Sequence, residues 1–173
     1  MNRICTLTLA GALLGAAALS AQNPFSADAK MIYNMSKNSV TRAAEEMPDA
    51  DYSFKASPME RTFGEMVAHV ADVQMALCGT ANGEQKKGES AGKTSKADLV
   101  SALKASFDYC DGVYDSMTDA KGAGTIKMFG RLEMTKLGAL NFNTAHNNEM
   151  YGQMVVYLRL KGMVPPSSQR RER

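Results

Sequence analysis

The stretch GTANGEQKKGESAGK, residues 79–93, decides how this chain folds. Four of its fifteen residues are glycine and five are charged, a composition typical of a flexible connection. It is longer than a tight helix hairpin needs, and it is long enough to cross the body of a helical bundle. The helices on either side of it would then run parallel.

Strong helix signals flank this connection. Before it, Thr62 and Glu65 have the spacing of a capping box, which marks the start of a helix. After it, Ser95 and Asp98 mark a second start, and this helix fades near Thr118. Apolar residues at helical spacing follow both starts: Phe63, Met66, Val70, Val73 and Leu77 in the first helix, and Leu99, Leu103, Phe107, Cys110 and Tyr114 in the second.

Two outer helices complete the prediction. One runs from about Ser26 to Glu46, with an apolar stripe of Met31, Met35, Val40 and Ala43. The other runs from about Lys136 to Lys161 and ends at Gly162, before Pro165 and Pro166. Residues 120–134 carry three glycines around TIKMF and predict a short extended piece. The pattern predicts an all-α four-helix bundle with one long crossover between helices 2 and 3.

The chain contains 13 methionines, which raises the question of copper handling. Most of them fall at helical core spacing rather than in clustered motifs, as do Met31, Met35, Met66, Met75 and Met154. Core packing is therefore the better account of this composition.

The termini suggest an exported single domain. Residues 1–21, MNRICTLTLAGALLGAAALSA, have a basic start, an apolar run and small residues before Gln22, which predicts a signal peptide. A retained membrane anchor is the alternative, but the run is short and weakly apolar. We expect a bundle over residues 22–166, a basic disordered tail over 167–173, and a periplasmic or extracellular location without stable membrane insertion after cleavage.

The charge balance argues against a nucleic-acid partner. Removing residues 1–21 removes Arg3 and no acidic residue, which leaves 19 basic against 18 acidic side chains. Proteins that bind nucleic acids usually carry a clear basic excess.

Two cysteines, Cys78 and Cys110, follow the signal peptide. In an exported protein such a pair can form a disulfide, and the alternative is two small buried apolar residues. If helices 2 and 3 are parallel, the two cysteines stand at similar heights, and a disulfide between these helices is feasible.

Only two histidines are present, His69 and His146, and each lies in a predicted helix. A lone helical histidine is usually a structural residue. Here, however, Asp72 follows His69 by three residues, while Glu149 and Met150 follow His146 by three and four. Each helix thus presents further ligand types on the histidine face, as metal sites in bundle cores do.

The segments RTFGEMVAHVADVQ (61–74) and FNTAHNNEMYGQMVVYLRLKGMVPPSS (142–168) resemble the two signature segments of the DinB-like (DinB/YfiT) superfamily. The resemblance covers nearly the whole chain after the signal peptide, including SKADLVSALKASFDYCD (95–111). It implies an up-down-down-up bundle. It also implies a divalent metal, often nickel or zinc, bound by three histidines.

Carried over by position, two of these ligands fall on His69 and His146, and the third falls on Met150. A thioether is a weak ligand for zinc and nickel, although it suits copper(I). Three states follow: a metal-free bundle, a weakly bound or different metal completed by Glu149 or Asp72, or a copper-like site that uses Met150. The substitution favours the metal-free state, and copper is the least favoured metal.

Two functional hypotheses remain. The first is a bundle with a degenerate metal site that binds a small molecule or forms a homodimer without catalysis. The second, implied by the resemblance, is a metal-dependent thiol transferase or hydrolase that uses His69 and His146. The sequence assigns no catalytic residue.

Overall fold

A computed structural model describes residues 23–169. The predicted signal peptide, residues 1–21, and positions 170–173 of the predicted tail lie outside the described residues. The elements, in chain order, are α1 (Pro24–Glu46), a 3₁₀ turn (Asp49–Asp51), α2 (Phe63–Asn82), α3 (Lys96–Ser116), the one-turn α4 (Asp119–Gly122), β1 (Thr125–Met128), β2 (Leu132–Thr135), α5 (Lys136–Leu160) and a 3₁₀ turn (Pro166–Ser168). The fold is all-α, as the sequence predicts, with one added hairpin.

Local capping sets where the inner helices begin. The Thr62 hydroxyl accepts a hydrogen bond from the Glu65 amide, and the Glu65 carboxylate accepts one from the Thr62 amide. The Ser95 hydroxyl accepts from the Asp98 amide at the start of α3. These caps satisfy amides that have no partner within the helix, so both starts are fixed by the sequence nearby.

Side-chain contacts show that α2 and α3 run parallel. The two helices meet near their N-termini at Gly64 and Leu99 and again at a disulfide between Cys78 and Cys110. This direction requires a connection that returns along the bundle, and residues 83–95 provide it. The connection begins later than the sequence predicts, because α2 continues through Gly79 to Asn82.

The outer helices run opposite to these two. From one end of α1 to the other, Lys30 pairs with Asp115, Lys37 with Asp111 and Glu45 with Lys104 of α3. The Tyr157 hydroxyl, near the end of α5, donates to the Arg61 carbonyl just before α2, and the Asn147 side-chain amide, near the middle of α5, donates to the Gln74 side chain near the middle of α2. Helix α5 therefore packs antiparallel to α2, and α1 packs antiparallel to α3.

The core-facing stripe of α1 differs from the prediction. Met31 and Met35 are exposed, whereas Val40 and Ala43 are buried. The buried face consists of Ser26, Ala29, Tyr33, Ser36, Val40, Ala43 and Ala44. Helix α1 carries apolar residues on two faces, and spacing alone did not identify which face packs inward. Of the other methionines assigned to the core, Met66, Met75 and Met154 are buried.

The ends of the described chain are held to the body. Residues 167–169, predicted as the start of a disordered tail, instead continue into the second 3₁₀ turn, and Gln169 donates a hydrogen bond to the Glu46 carboxylate at 2.7 Å. At the other end, the Asp119 carboxylate accepts from the Ser26 amide and anchors the start of α1. Within residues 23–169, no helix has the length and apolar character needed to span a bilayer.

Candidate metal-related histidine site

Helices α2 and α5 bring His69 and His146 together. Their Nε2 atoms are 3.3 Å apart, so one imidazole donates its hydrogen to the other. His69 lies between Arg61 and Gln74 in the chain, and His146 directly precedes Asn147, so the Tyr157–Arg61 and Asn147–Gln74 contacts hold the two helices together near the pair. The histidine geometry is thus set by the packing of both helices.

The surroundings favour the neutral form of both rings. Burial lowers the pKa of His69, and the nearby positive charge of Arg61 lowers it further. Burial also lowers the pKa of His146, partly offset by the Asn147 side chain and by the Glu149 carboxylate. Because burial disfavours the charged imidazolium, both rings are neutral at neutral pH.

Met150 lies one helical turn after His146 and is only 5 % exposed. It belongs to the main apolar core together with Met154 and Tyr157 of the same helix. Its thioether is flexible and polarisable, and it packs well in an irregular interior.

The two acidic candidates, Asp72 and Glu149, lie in different surroundings. The Asp72 carboxylate accepts hydrogen bonds from both the amide and the hydroxyl of Ser90, in the connection between α2 and α3. Glu149 lies on the exposed side of α5. Among residues 23–169, no three His, Cys, Asp or Glu side chains are grouped closely enough to hold a metal ion.

The side chains at this site can be compared with the ligands that a zinc or nickel ion needs. Two nitrogen ligands, each about 2.0–2.1 Å from a tetrahedral zinc ion, would lie about 3.3 Å apart, which matches the histidine pair. The remaining neighbour on α5 is a thioether, which zinc and nickel bind weakly. The residues present therefore fit two ligands of a zinc or nickel site and do not fit the third.

A buried polar network, which the sequence analysis missed, lies beside the histidines. The Asn147 side-chain amide donates to the Gln74 side-chain oxygen, and the Gln74 side-chain amide donates to the Ser106 hydroxyl. That hydroxyl donates to the Leu103 backbone carbonyl. All three polar side chains are almost fully buried. The sequence did contain a signal for this network, because Gln74 and Asn147 fall at core positions of apolar helix faces. Buried polar side chains are almost always hydrogen-bonded, so this pattern indicates partners inside the bundle.

Cys78 and Cys110 form a disulfide between α2 and α3, with Cα atoms 5.5 Å apart. Both residues are completely buried. The bond lies one turn from Gln74 on α2 and from Ser106 on α3, so it holds the two helices together beside the polar network.

Comparison with known proteins agrees with this fold. A DinB-like protein from Bacillus cereus superposes with a TM-score of 0.67 at 22 % identity, covering 80 % of this chain and 93 % of that one. A DinB-like protein from Bacillus subtilis gives 0.64 at 18 % identity, covering 82 % and 99 %. A mycothiol-dependent maleylpyruvate isomerase gives 0.63 at 13 % identity, covering 84 % and 78 %.

No curated protein matches the chain in sequence. The DinB superfamily model matches residues 33–154, a span that contains both histidines, Met150 and both cysteines. With most of its length matched by this model, the chain belongs to the DinB superfamily.

Proposed function

We propose that this protein is an exported DinB superfamily bundle with a degenerate metal site, and that it binds a small molecule or a second copy of itself without catalysis. The observation that carries the proposal is Met150, buried one turn after His146 where the family resemblance implies a third histidine. His69 and His146 also lie within hydrogen-bond distance of each other, a contact that requires no metal ion.

Two further features support this assignment. Asp72, the nearest acidic candidate on α2, is committed to Ser90, so it is not free to complete the ligand set. The buried disulfide supports export, because disulfides persist in oxidising compartments such as the periplasm.

The second candidate is a metal-dependent thiol transferase or hydrolase that uses His69 and His146. The 3.3 Å separation of the two Nε2 atoms favours it, since this is the spacing of two nitrogens on one tetrahedral ion. A structural neighbour is a mycothiol-dependent isomerase, which is consistent with thiol chemistry on this fold. In this candidate the metal would activate a thiol or a water as nucleophile.

Metal titration separates the two candidates. Tag-free protein is assayed for bound metal and titrated with zinc, nickel and copper, alongside Met150→His. We expect the natural protein to bind zinc and nickel at least about 100-fold more weakly than Met150→His. Loss of a side chain that only hydrogen-bonds to a metal ligand already lowers metal affinity about 10–100-fold, and loss of a direct ligand should lower it at least as much. Met35→His, which adds a histidine on an exposed face of α1, is the matched control and should behave as the natural protein does.

Either of two results would overturn the proposal. Stoichiometric zinc or nickel in the natural protein, lost in His146→Ala, would establish the metal-dependent candidate. Failure of Met150→His to gain affinity, in a variant that still folds, would show that the position does not belong to a metal site.

A further inference from the structure

The β-hairpin packs against the two helices that carry the histidines. Strand β1 contacts both α2 and α5, and β2 contacts α5. Met128, the last residue of β1, is buried in the core and fixes the hairpin there. The turn after Met128 is therefore held against the body of the protein.

This turn exposes a large aromatic side chain in an unfavourable backbone conformation. Phe129 has φ of +52°, in the left-handed region, and it is 64 % exposed. The next residue, Gly130, has φ of +71°, and the Arg131 amide donates to the Met128 carbonyl, so both conformations belong to the hairpin turn. Phenylalanine is an unusual residue there, because Asn, Asp and Gly are the residues that adopt positive φ most readily. The Phe129 ring meets Phe142 of α5 edge to face, with ring centroids 6.1 Å apart.

The aromatic pair lies next to the histidine site. Phe142 precedes His146 by four residues on α5, which places it on the same side of the helix and about 6 Å further along the axis. Phe142 is 40 % exposed, and Leu132, paired with Met128 across the hairpin, is 47 % exposed. Phe129, Leu132 and Phe142 together are called the hairpin patch below.

The charge beside the patch is positive. Lys127 faces Glu133 across the two strands, so these opposite charges can compensate each other. Arg131, in the turn itself, is exposed and makes no salt bridge with any residue in the described range 23–169. A guanidinium in this position suits a carboxylate, which it can bind with two parallel hydrogen bonds.

We propose that the hairpin patch binds the aryl or alkyl part of a small organic acid and that Arg131 binds its carboxylate. The bound acid would then lie beside the His69–His146 pair. This inference rests on the proposed small-molecule function and specifies its ligand class. A second copy packed symmetrically on the patch would bring two Arg131 side chains together, and like charges oppose that arrangement. A small apolar anion has the complementary charge and chemistry.

The test uses isotope-labelled protein and follows its amide signals by NMR during titration with phenylpropionate or with acetate. A ligand of this size is expected to bind in the millimolar range. We expect phenylpropionate to shift signals of residues 129–132 and 142, and acetate to shift them much less.

Three variants sharpen the test. Phe129→Gly removes the ring yet favours the positive φ, so the turn is retained, and it should weaken phenylpropionate binding at least about fivefold. Arg131→Gln should weaken binding of phenylpropionate but not of uncharged phenylpropanol. Met59→Ser, at a 94 % exposed apolar residue away from the patch, should change neither affinity.

Several outcomes would overturn the inference: no saturable shifts, shifts located elsewhere, equal effects of acetate and phenylpropionate, or unchanged binding in Phe129→Gly. Shifts of the patch that depend on protein concentration without ligand would identify a second copy as the occupant instead. The proposed function is tested separately, because His69→Ala and His146→Ala address the metal site while the hairpin patch remains intact.

Discussion

At the residue scale, the central feature is a pair of neutral imidazoles that share one hydrogen. Each Nε2 is 3.3 Å from the other, so protonation of both rings would place two N–H groups against each other. Burial already lowers the pKa of both rings. The pair is therefore stable only while at least one ring stays neutral.

This arrangement predicts a loss of stability on acidification. A histidine in the unfolded chain titrates near pH 6.5, and His69 and His146 titrate below that value in the folded protein. Between the folded and unfolded pKa values the unfolded chain binds more protons, so the free energy of unfolding falls as pH falls through this window. Below the folded pKa values the loss is complete.

The measurement is denaturant unfolding of chelator-treated protein between about pH 7.5 and about pH 5.5, where most carboxylates remain ionised. His69→Ala and His146→Ala serve as controls and should flatten the pH dependence. The same slope in the natural protein and both variants would contradict the prediction.

At this scale, the sequence identified residues by their position in a motif but not residues whose partners come from distant parts of the chain. His69 and His146 stand out because they are the only histidines and lie in signature segments. Asp72 was one possible supplementary ligand; its hydrogen bonds go to Ser90, 18 residues away, a partner that only the path of the connection determines. Gln74 was missed for a similar reason, since its partners come from two other helices.

At the element scale, the connection between α2 and α3 is attached to the helix it follows. Ser90 is held by Asp72, and Gly88 allows that close approach, because a Cβ at Gly88 would lie 1.8 Å from the Asp72 Oδ1 atom. Such a contact requires either the carboxylate or the connection to move.

We predict that Gly88→Ala breaks this attachment and lowers the free energy of unfolding by about 1–3 kcal/mol. Gly112→Ala is the matched control, since nothing lies within 4 Å of a Cβ placed there on the exposed side of α3. The control should stabilise the protein by about 0.5–1 kcal/mol, the usual gain of alanine over glycine inside a helix. Equal effects of the two substitutions in thermal or denaturant unfolding would refute the steric argument.

The helix starts could be predicted because capping depends on residues close together in the chain. The face that each helix turns to the core could not be predicted in the same way, because it depends on the other helices. The sequence placed the starts at Thr62 and Ser95 correctly, since each cap needs only residues three positions apart. It assigned Met31 and Met35 to the core, and they are exposed because Tyr33 and Val40 define a different inward face. The hairpin was expected only as an extended piece, because its register depends on pairing between two short strands.

At the scale of the whole molecule, the parallel packing of α2 and α3 is covalently secured. Cys78 and Cys110 are separated by 32 positions, and their bond closes a loop that contains the entire connection. Closing a loop of this size restricts the unfolded chain and is worth about 3–4 kcal/mol in the chain-entropy model.

We predict that replacing both cysteines by alanine lowers the free energy of unfolding by about this amount. Denaturant unfolding with and without reductant measures the effect, and reductant should destabilise only the natural protein. Mass measurement after alkylation checks the premise, since native, unreduced protein that gains two labels at Cys78 and Cys110 would show that the bond is absent.

The same covalent loop determines what would happen if the backbone were cut. Lys86 and Lys87 are exposed in the connection, between the two cysteines, where a trypsin-like protease can reach them. Cleavage there would leave an N-terminal piece carrying His69 and a C-terminal piece carrying His146, still joined through sulfur. The protein would then be a two-chain molecule whose histidine pair bridges the two chains.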